Sequence, residues 1–135
     1  MRLDHASNLS GEDGHLLDDK RRFHELFENA GDFIYTVDLS GNFTSINRMG
    51  ERLTGYSREE LLVSNIREII APESLAAVLR MMDYTVEGVA PAIYEVEFVA
   101  KTGRRVPMEI STRPLYRDNQ PVGFHGIARD ISVHR

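Results

Sequence analysis

The chain has 135 residues, 41% of them hydrophobic and 27% charged, which is the size and balance of one compact domain with a single core. It contains no cysteine, so disulfide frameworks, thiolate zinc sites, iron–sulfur clusters and thiol nucleophiles are excluded together. A formal net charge of -5 argues against nucleic acid as a partner, because phosphate binding needs a concentrated basic surface and Lys20-Arg21-Arg22 is the only basic run.

A domain of this length buries roughly two thirds of the surface its unfolded chain exposes, enough to fold without metal or disulfide. No apolar stretch approaches the roughly 18 to 20 residues that would span a bilayer, and the first 30 residues lack the apolar core of a signal peptide. No direct membrane insertion and a cytoplasmic location are therefore expected.

In chain order, residues 1–15 are polar and glycine-containing, and are expected to form a flexible leader. Over residues 16–30, Leu16, Phe23, Leu26 and Phe27 recur at helical spacing with charged residues on other faces, which predicts an amphipathic helix. Its stripe can pack on its own domain or on a second copy. Leu16, Phe23 and Phe27 are the candidate dimer contacts.

Phe33 to Asp38 is β-branched and aromatic, Asp38-Leu-Ser-Gly41 is a turn, and Asn42 to Ile46 is a second strand, giving a hairpin. Asn47 is expected to cap a short helix through Leu53, with Gly55 ending it in the left-handed conformation. Ser57-Arg-Glu-Glu60 has the spacing of a capping box opening a second short helix. Pro72 suits the first turn of a longer helix, along which Leu75, Val78, Leu79, Met82 and Val86 share one face and which Gly88 is expected to end.

Three further strands are predicted over Tyr94 to Lys101, Arg104 to Tyr116 and Val122 to Asp130, parted by Thr102-Gly103 and by Arg117 to Pro121. Two opening strands, a helical middle and three closing strands make an α+β domain of one antiparallel sheet layered with helices.

Ile34-Tyr-Thr-Val-Asp38-Leu-Ser-Gly41, Ile46-Asn47, and Glu51 through Leu62 with its Gly55-Tyr56-Ser57 segment follow one another in this order. Lys101-Thr-Gly103, Pro107, Pro114-Leu115 and Gly123 through Ser132 complete the series. Over residues 23 to 132 this order and spacing resembles the PAS family of sensory domains. The resemblance implies a PAS fold: a five-stranded antiparallel sheet flanked by short helices and one longer helix, with the N-terminal amphipathic helix outside it.

It also implies a division of the chain into a leader (1–15), a helix (16–30), a PAS domain (31–132) and the start of a linker to an effector (133–135). Ligands of the family sit between the long helix and the inner face of the sheet. By position the candidate pocket residues here are Leu75, Val78, Leu79 and Met82 with Phe98, Met108, Ile110 and Phe124. Ordinary core accounts for the same residues, so a filled, ligand-free dimerisation and relay module stands beside the ligand-binding reading.

Asp130-Ile131-Ser132 resembles the closing motif of the family, where the acid pairs near the turn between the neighbouring strands and relays strain to the next domain. Arg104 or Arg105 is the expected partner. The resemblance implies a sensor acting as a homodimer on a C-terminal effector, a histidine kinase or a cyclic-dinucleotide enzyme of a two-component or related signalling system, with a small molecule as the input.

The cofactor is left unassigned. Haem-binding relatives use a histidine on the long helix, and none of the five histidines lies between residues 26 and 124. His125 falls on the last strand. A cysteinyl–flavin adduct is excluded by the absence of cysteine, as is chromophore attachment through a thiol; non-covalent flavin stays open. No metal site is expected.

Catalysis by the domain itself is not expected. Glu95, Glu97 and Glu109 are the nearest thing to a carboxylate cluster, but strand alternation puts them opposite Tyr94, Val96, Phe98, Met108 and Ile110, in solvent. The sequence has no HExxH, GxSxG or GxxxxGK[ST] pattern.

Overall fold

The structure, a computed structural model, describes residues 18–87 and 93–132, the side chains of 84–87 excepted. The leader, Leu16, Gly88 and the linker at 133–135 lie outside the described residues, and Val86 is placed only by its position on a helix.

Helix α1 occupies residues 18–29. Strands β1 (Phe33–Asp38) and β2 (Phe43–Ile46) follow, then helices α2 (Arg48–Thr54) and α3 (Arg58–Leu62), a 3-10 turn at Ile66–Glu68, and the long helix α4 (Pro72–Glu87). The chain closes with β3 (Ile93–Val99), β4 (Arg105–Arg117) and β5 (Gln120–Asp130). The five strands form one antiparallel sheet in the order β2-β1-β5-β4-β3. The first and last strands are thus neighbours at its centre.

Local chemistry accounts for most element ends. Ser57 and Glu60 complete the capping box, with Glu60 N donating to Ser57 Oγ at 3.1 Å and Ser57 N to Glu60 Oε1 at 2.9 Å. Gly55 ends α2 at φ 75°, where a side chain would clash with its own backbone, and its N–H returns to the carbonyl of Glu51. In the first turn Asp38 Oδ1 accepts from the N–H groups of Ser40 and Asn42, both at 2.9 Å.

Two boundaries differ from the sequence expectation. The β4–β5 connection is a two-residue turn in which Asp118 and Asn119 both take positive φ, at 51° and 65°, so the strands run on to Arg117 and from Gln120. Paired positive φ gives the turn the same twist as its flanking strands. Pro121 is accommodated there beside a register shift between Leu115 and Tyr116.

Asn47 stands at the N-cap position of α2 but makes no side-chain cap bond. Its Oδ1 accepts from Ile34 N at 3.0 Å, and its Nδ2 donates to the carbonyls of Phe27 at 2.9 Å and Asp32 at 2.8 Å. A fully buried amide can satisfy one donor and two acceptors at once, and three backbone groups converge there.

The core lies between the helices and one face of the sheet. Phe33, Tyr35 and Val37 of β1 alternate into it, with Phe43, Ile46, Val78, Phe98, Met108, Ile110 and Phe124. Phe33 ties its halves together, its ring 4.9 Å from that of Tyr35 and edge-on to Phe98 at 6.2 Å.

Candidate functional site

Helix α4 crosses the inner face of the sheet. On it Val78 and Met82 are buried and Leu75 and Leu79 half-buried; opposite them stand Phe98, Met108, Ile110 and Phe124, all buried. The eight residues singled out from the sequence therefore belong to one apolar cluster. Burying each of the six that are fully covered contributes about 1.5 to 3 kcal/mol, so they hold the fold together whatever else they do.

Polar groups join them that the sequence reading did not include. Thr112 continues the inward row of Met108 and Ile110, and its Oγ1 is 3.3 Å from the hydroxyl of Tyr94 on the neighbouring strand. Tyr35 reaches the same face from β1 and is 3% exposed. Alternation along each strand carried both signals: Thr112 lies two residues beyond Ile110, and Tyr35 two beyond Phe33.

Burial raises the pKa of both phenols, that of Tyr94 partly offset by its bond to Thr112. Both hydroxyls are neutral donors and acceptors at physiological pH. Glu28 is the one charged residue among the buried side chains described, and it belongs to the last turn of α1, where it is bonded to Arg58 of α3. The buried side chains where α4 packs on the sheet are therefore uncharged among the described residues.

Glu95, Glu97 and Glu109 are on the opposite face, where Glu97 Oε1 pairs with Arg105 Nη1 at 3.0 Å and Glu109 Oε1 lies 3.9 Å from Arg129. His125 shares that face, in register with Thr36 and Arg113. Burial and the adjacent Arg113 lower its pKa. Among the described residues no group of three His, Asp or Glu side chains is arranged to hold a metal ion.

At the exit of the domain, the expected pairing of Asp130 with Arg104 or Arg105 gives way to a different arrangement. Arg105 Nη1 is taken by Glu73 at 2.6 Å and Glu97 at 3.0 Å, while Asp130 Oδ1 accepts from Ser132 N at 2.9 Å and from Ser132 Oγ at 2.5 Å. Asp130 and Ser132 are two residues apart, so the carboxylate finds local donors before any distant guanidinium. Ile131 N donates to the carbonyl of Pro107 at 3.0 Å, fastening the exit to β4. Beside it Ser74, Glu95, Val96, Glu97, Pro107 and Ile131 line a cleft of about 290 Å³.

On α1, Phe23 is 69% exposed and its ring stacks on Phe27 with centroids 6.4 Å apart. Leu26 is also exposed, and Asp19, Lys20, Phe23, His24 and Phe27 border an open groove. No helix among the described residues is long and apolar enough to cross a membrane.

A family model described as the PAS fold matches residues 21–131. The chain is 30% identical over 121 residues to the methyl sulfide methyltransferase-associated sensor of Methanosarcina acetivorans, covering 89% of this chain but 12% of that protein. Among solved structures it resembles a PAS domain from Colwellia psychrerythraea, with TM-score 0.77 and 27% identity over 84% of this chain and 97% of that one. It also resembles a domain of a sensory box sensor histidine kinase/response regulator from Geobacter sulfurreducens, with TM-score 0.69 and 25% identity over 85% and 96% of the two chains.

Proposed function

This chain belongs to the PAS family, and on that premise we propose that it is the sensory part of a signalling protein, binding a small uncharged ligand between α4 and the sheet. Leu75, Val78, Leu79, Met82, Phe98, Met108, Ile110 and Phe124 form its apolar walls, and Tyr94 and Thr112 supply the hydrogen bonds that orient it. Residues 31–132 are the sensing unit; Asp130, Ile131 and Ser132 pass the change in shape to a following effector such as a histidine kinase. The proposed setting is the cytoplasm, where the effector rather than this domain carries catalysis.

The Tyr94–Thr112 pair, set among buried side chains that carry no charge, supports this reading. An ionised ligand would lose its hydration there without gaining a counter-charge, whereas a neutral molecule with a single polar group loses little. A ligand-free dimerisation and relay module is the second reading, favoured by the near-complete burial of Val78, Phe98, Met108 and Ile110 and by the exposed Phe23.

Native mass spectrometry and an absorption spectrum of one purified sample, followed by a thermal-shift screen of neutral and anionic small molecules, separate the two. Added mass, a visible band, or stabilisation by neutral compounds supports the ligand reading. A bare dimer mass with no response supports the filled module, and stabilisation by anions alone overturns the proposed ligand class.

A further inference from the structure

Helix α1 meets the rest of the domain through its last turn. Every described residue from 18 to 26 is exposed, and burial begins at Phe27 and Glu28. There the attachment is polar: Glu28 Oε1 accepts from Arg58 Nη2 at 2.7 Å, and the carbonyl of Phe27 accepts from the buried Asn47 Nδ2 at 2.9 Å.

Arg58 opens α3 and has a second carboxylate within reach. Glu51 of α2 accepts from Arg58 N through Oε2 at 3.1 Å, and its Oε1 is 4.0 Å from the same Nη2 that binds Glu28. One guanidinium thus stands between an acid on α1 and an acid on α2.

We infer that α1 is a releasable arm, held by a polar latch whose cation, Arg58, passes from Glu28 to Glu51 when the arm leaves. Breaking a buried ion pair normally strands a charge in the interior. Here Glu28 departs into water with its helix, and Arg58, whose side chain is one third exposed, turns to Glu51. Asn47 keeps its bonds to Asp32 and Ile34, while its other Nδ2 hydrogen and the Arg48 N–H, which meet Phe27 and Glu28 of α1, pass to water as α1 withdraws and uncovers them. With those two donors hydrated, α1 opens as a local unit, at lower free energy than global unfolding.

The position of the latch gives it a regulatory use. Arg58 and Glu51 lie on separate short helices, so any displacement of α2 against α3 alters how strongly Glu51 competes for Arg58, and with it the hold on α1. Helix α1 therefore reports the arrangement of α2 and α3, with or without a ligand.

Hydrogen exchange of the full chain, read peptide by peptide, tests this. Arg58→Met is expected to speed exchange in α1 at least about tenfold, since a charge-assisted bond is lost, while peptides of β4 and β5 keep their wild-type protection. Glu51→Gln keeps the acceptor for Arg58 N but removes the competing charge, and is expected to slow α1 exchange about twofold to fivefold. Glu28→Gln, which preserves shape, repeats the first result should Arg58→Met fail to fold. Exchange of α1 and the core in step in all variants would overturn the inference. Faster α1 exchange in Glu51→Gln would do so too, because Glu51 would then be holding Arg58 in place rather than competing for it.

Discussion

The ring of Tyr35 occupies the space directly above Gly126, its partner across the β1–β5 ladder: a Cβ built on Gly126 would fall 2.3 Å from Tyr35 Cζ. The glycine is therefore a packing requirement of the core, set by a side chain some ninety positions earlier in the chain.

Gly126→Ala forces Tyr35 out of its position and is expected to cost about 1 to 3 kcal/mol, the range for overpacked sites. Urea denaturation should show a lower midpoint at unchanged slope. Shortening the ring in the background of the variant, as in Gly126→Ala with Tyr35→Leu, should give a smaller loss than the sum of the two single changes. Strict additivity would mean that the two residues do not compete for the same space.

Acid should weaken the attachment of Glu28 in a predictable direction. The hydrogen bond from Arg58 lowers the Glu28 pKa against the opposing effect of desolvation, with further help from the Arg58 charge, the Arg48 N–H and His24. Glu51 and Glu59 also face Arg58. A carboxylate whose folded pKa lies below its unfolded value of about 4.3 contributes stability that is complete above that value and lost as pH falls through the folded pKa. The stability difference between wild type and Glu28→Gln should accordingly be constant near neutrality and shrink below about pH 4.5. A difference that grows in acid would contradict the assignment.

Met82 tests the proposed pocket. Met82→Trp enlarges a buried position on α4, so in a filled core it should destabilise by about 1 to 3 kcal/mol with no other consequence. If a cavity adjoins it, the indole fills that cavity and the thermal shift given by a neutral ligand disappears. Wild type and variant responding equally to the ligand would place the binding site elsewhere.

Phe23 tests the role of α1 in self-association. It is exposed on the described chain, so Phe23→Glu should leave folding intact, with thermal stability within about 0.5 kcal/mol of wild type. Sedimentation or native mass spectrometry should show a monomer where the parent is a dimer. A variant that remains dimeric would assign the contact to another surface.

Local pattern sufficed for much of this molecule. Period-two alternation put Val96, Phe98, Met108 and Ile110 on the buried face, and the i, i+3, i+4 spacing of Leu75, Val78, Leu79 and Met82 put α4 against it. Ser57 with Glu60, Gly55 and Pro72 marked helix ends because each satisfies a backbone need within four residues of itself. Thr112 and Tyr35 were legible by the same alternation.

Spacing could not supply the choice of partner where a side chain has several. Asp130 turned to Ser132 and left Arg105 to Glu73 and Glu97. Asn47, which by composition caps α2, instead joins Phe27, Asp32 and Ile34. Arg58 reaches Glu28 across thirty residues. The elements, their order and their buried faces are written in the chain, since they follow from the repeat of the backbone. Which polar groups meet is settled only in the finished fold, because a hydrogen bond forms only with a group brought within about 3 Å, and that depends on every element at once.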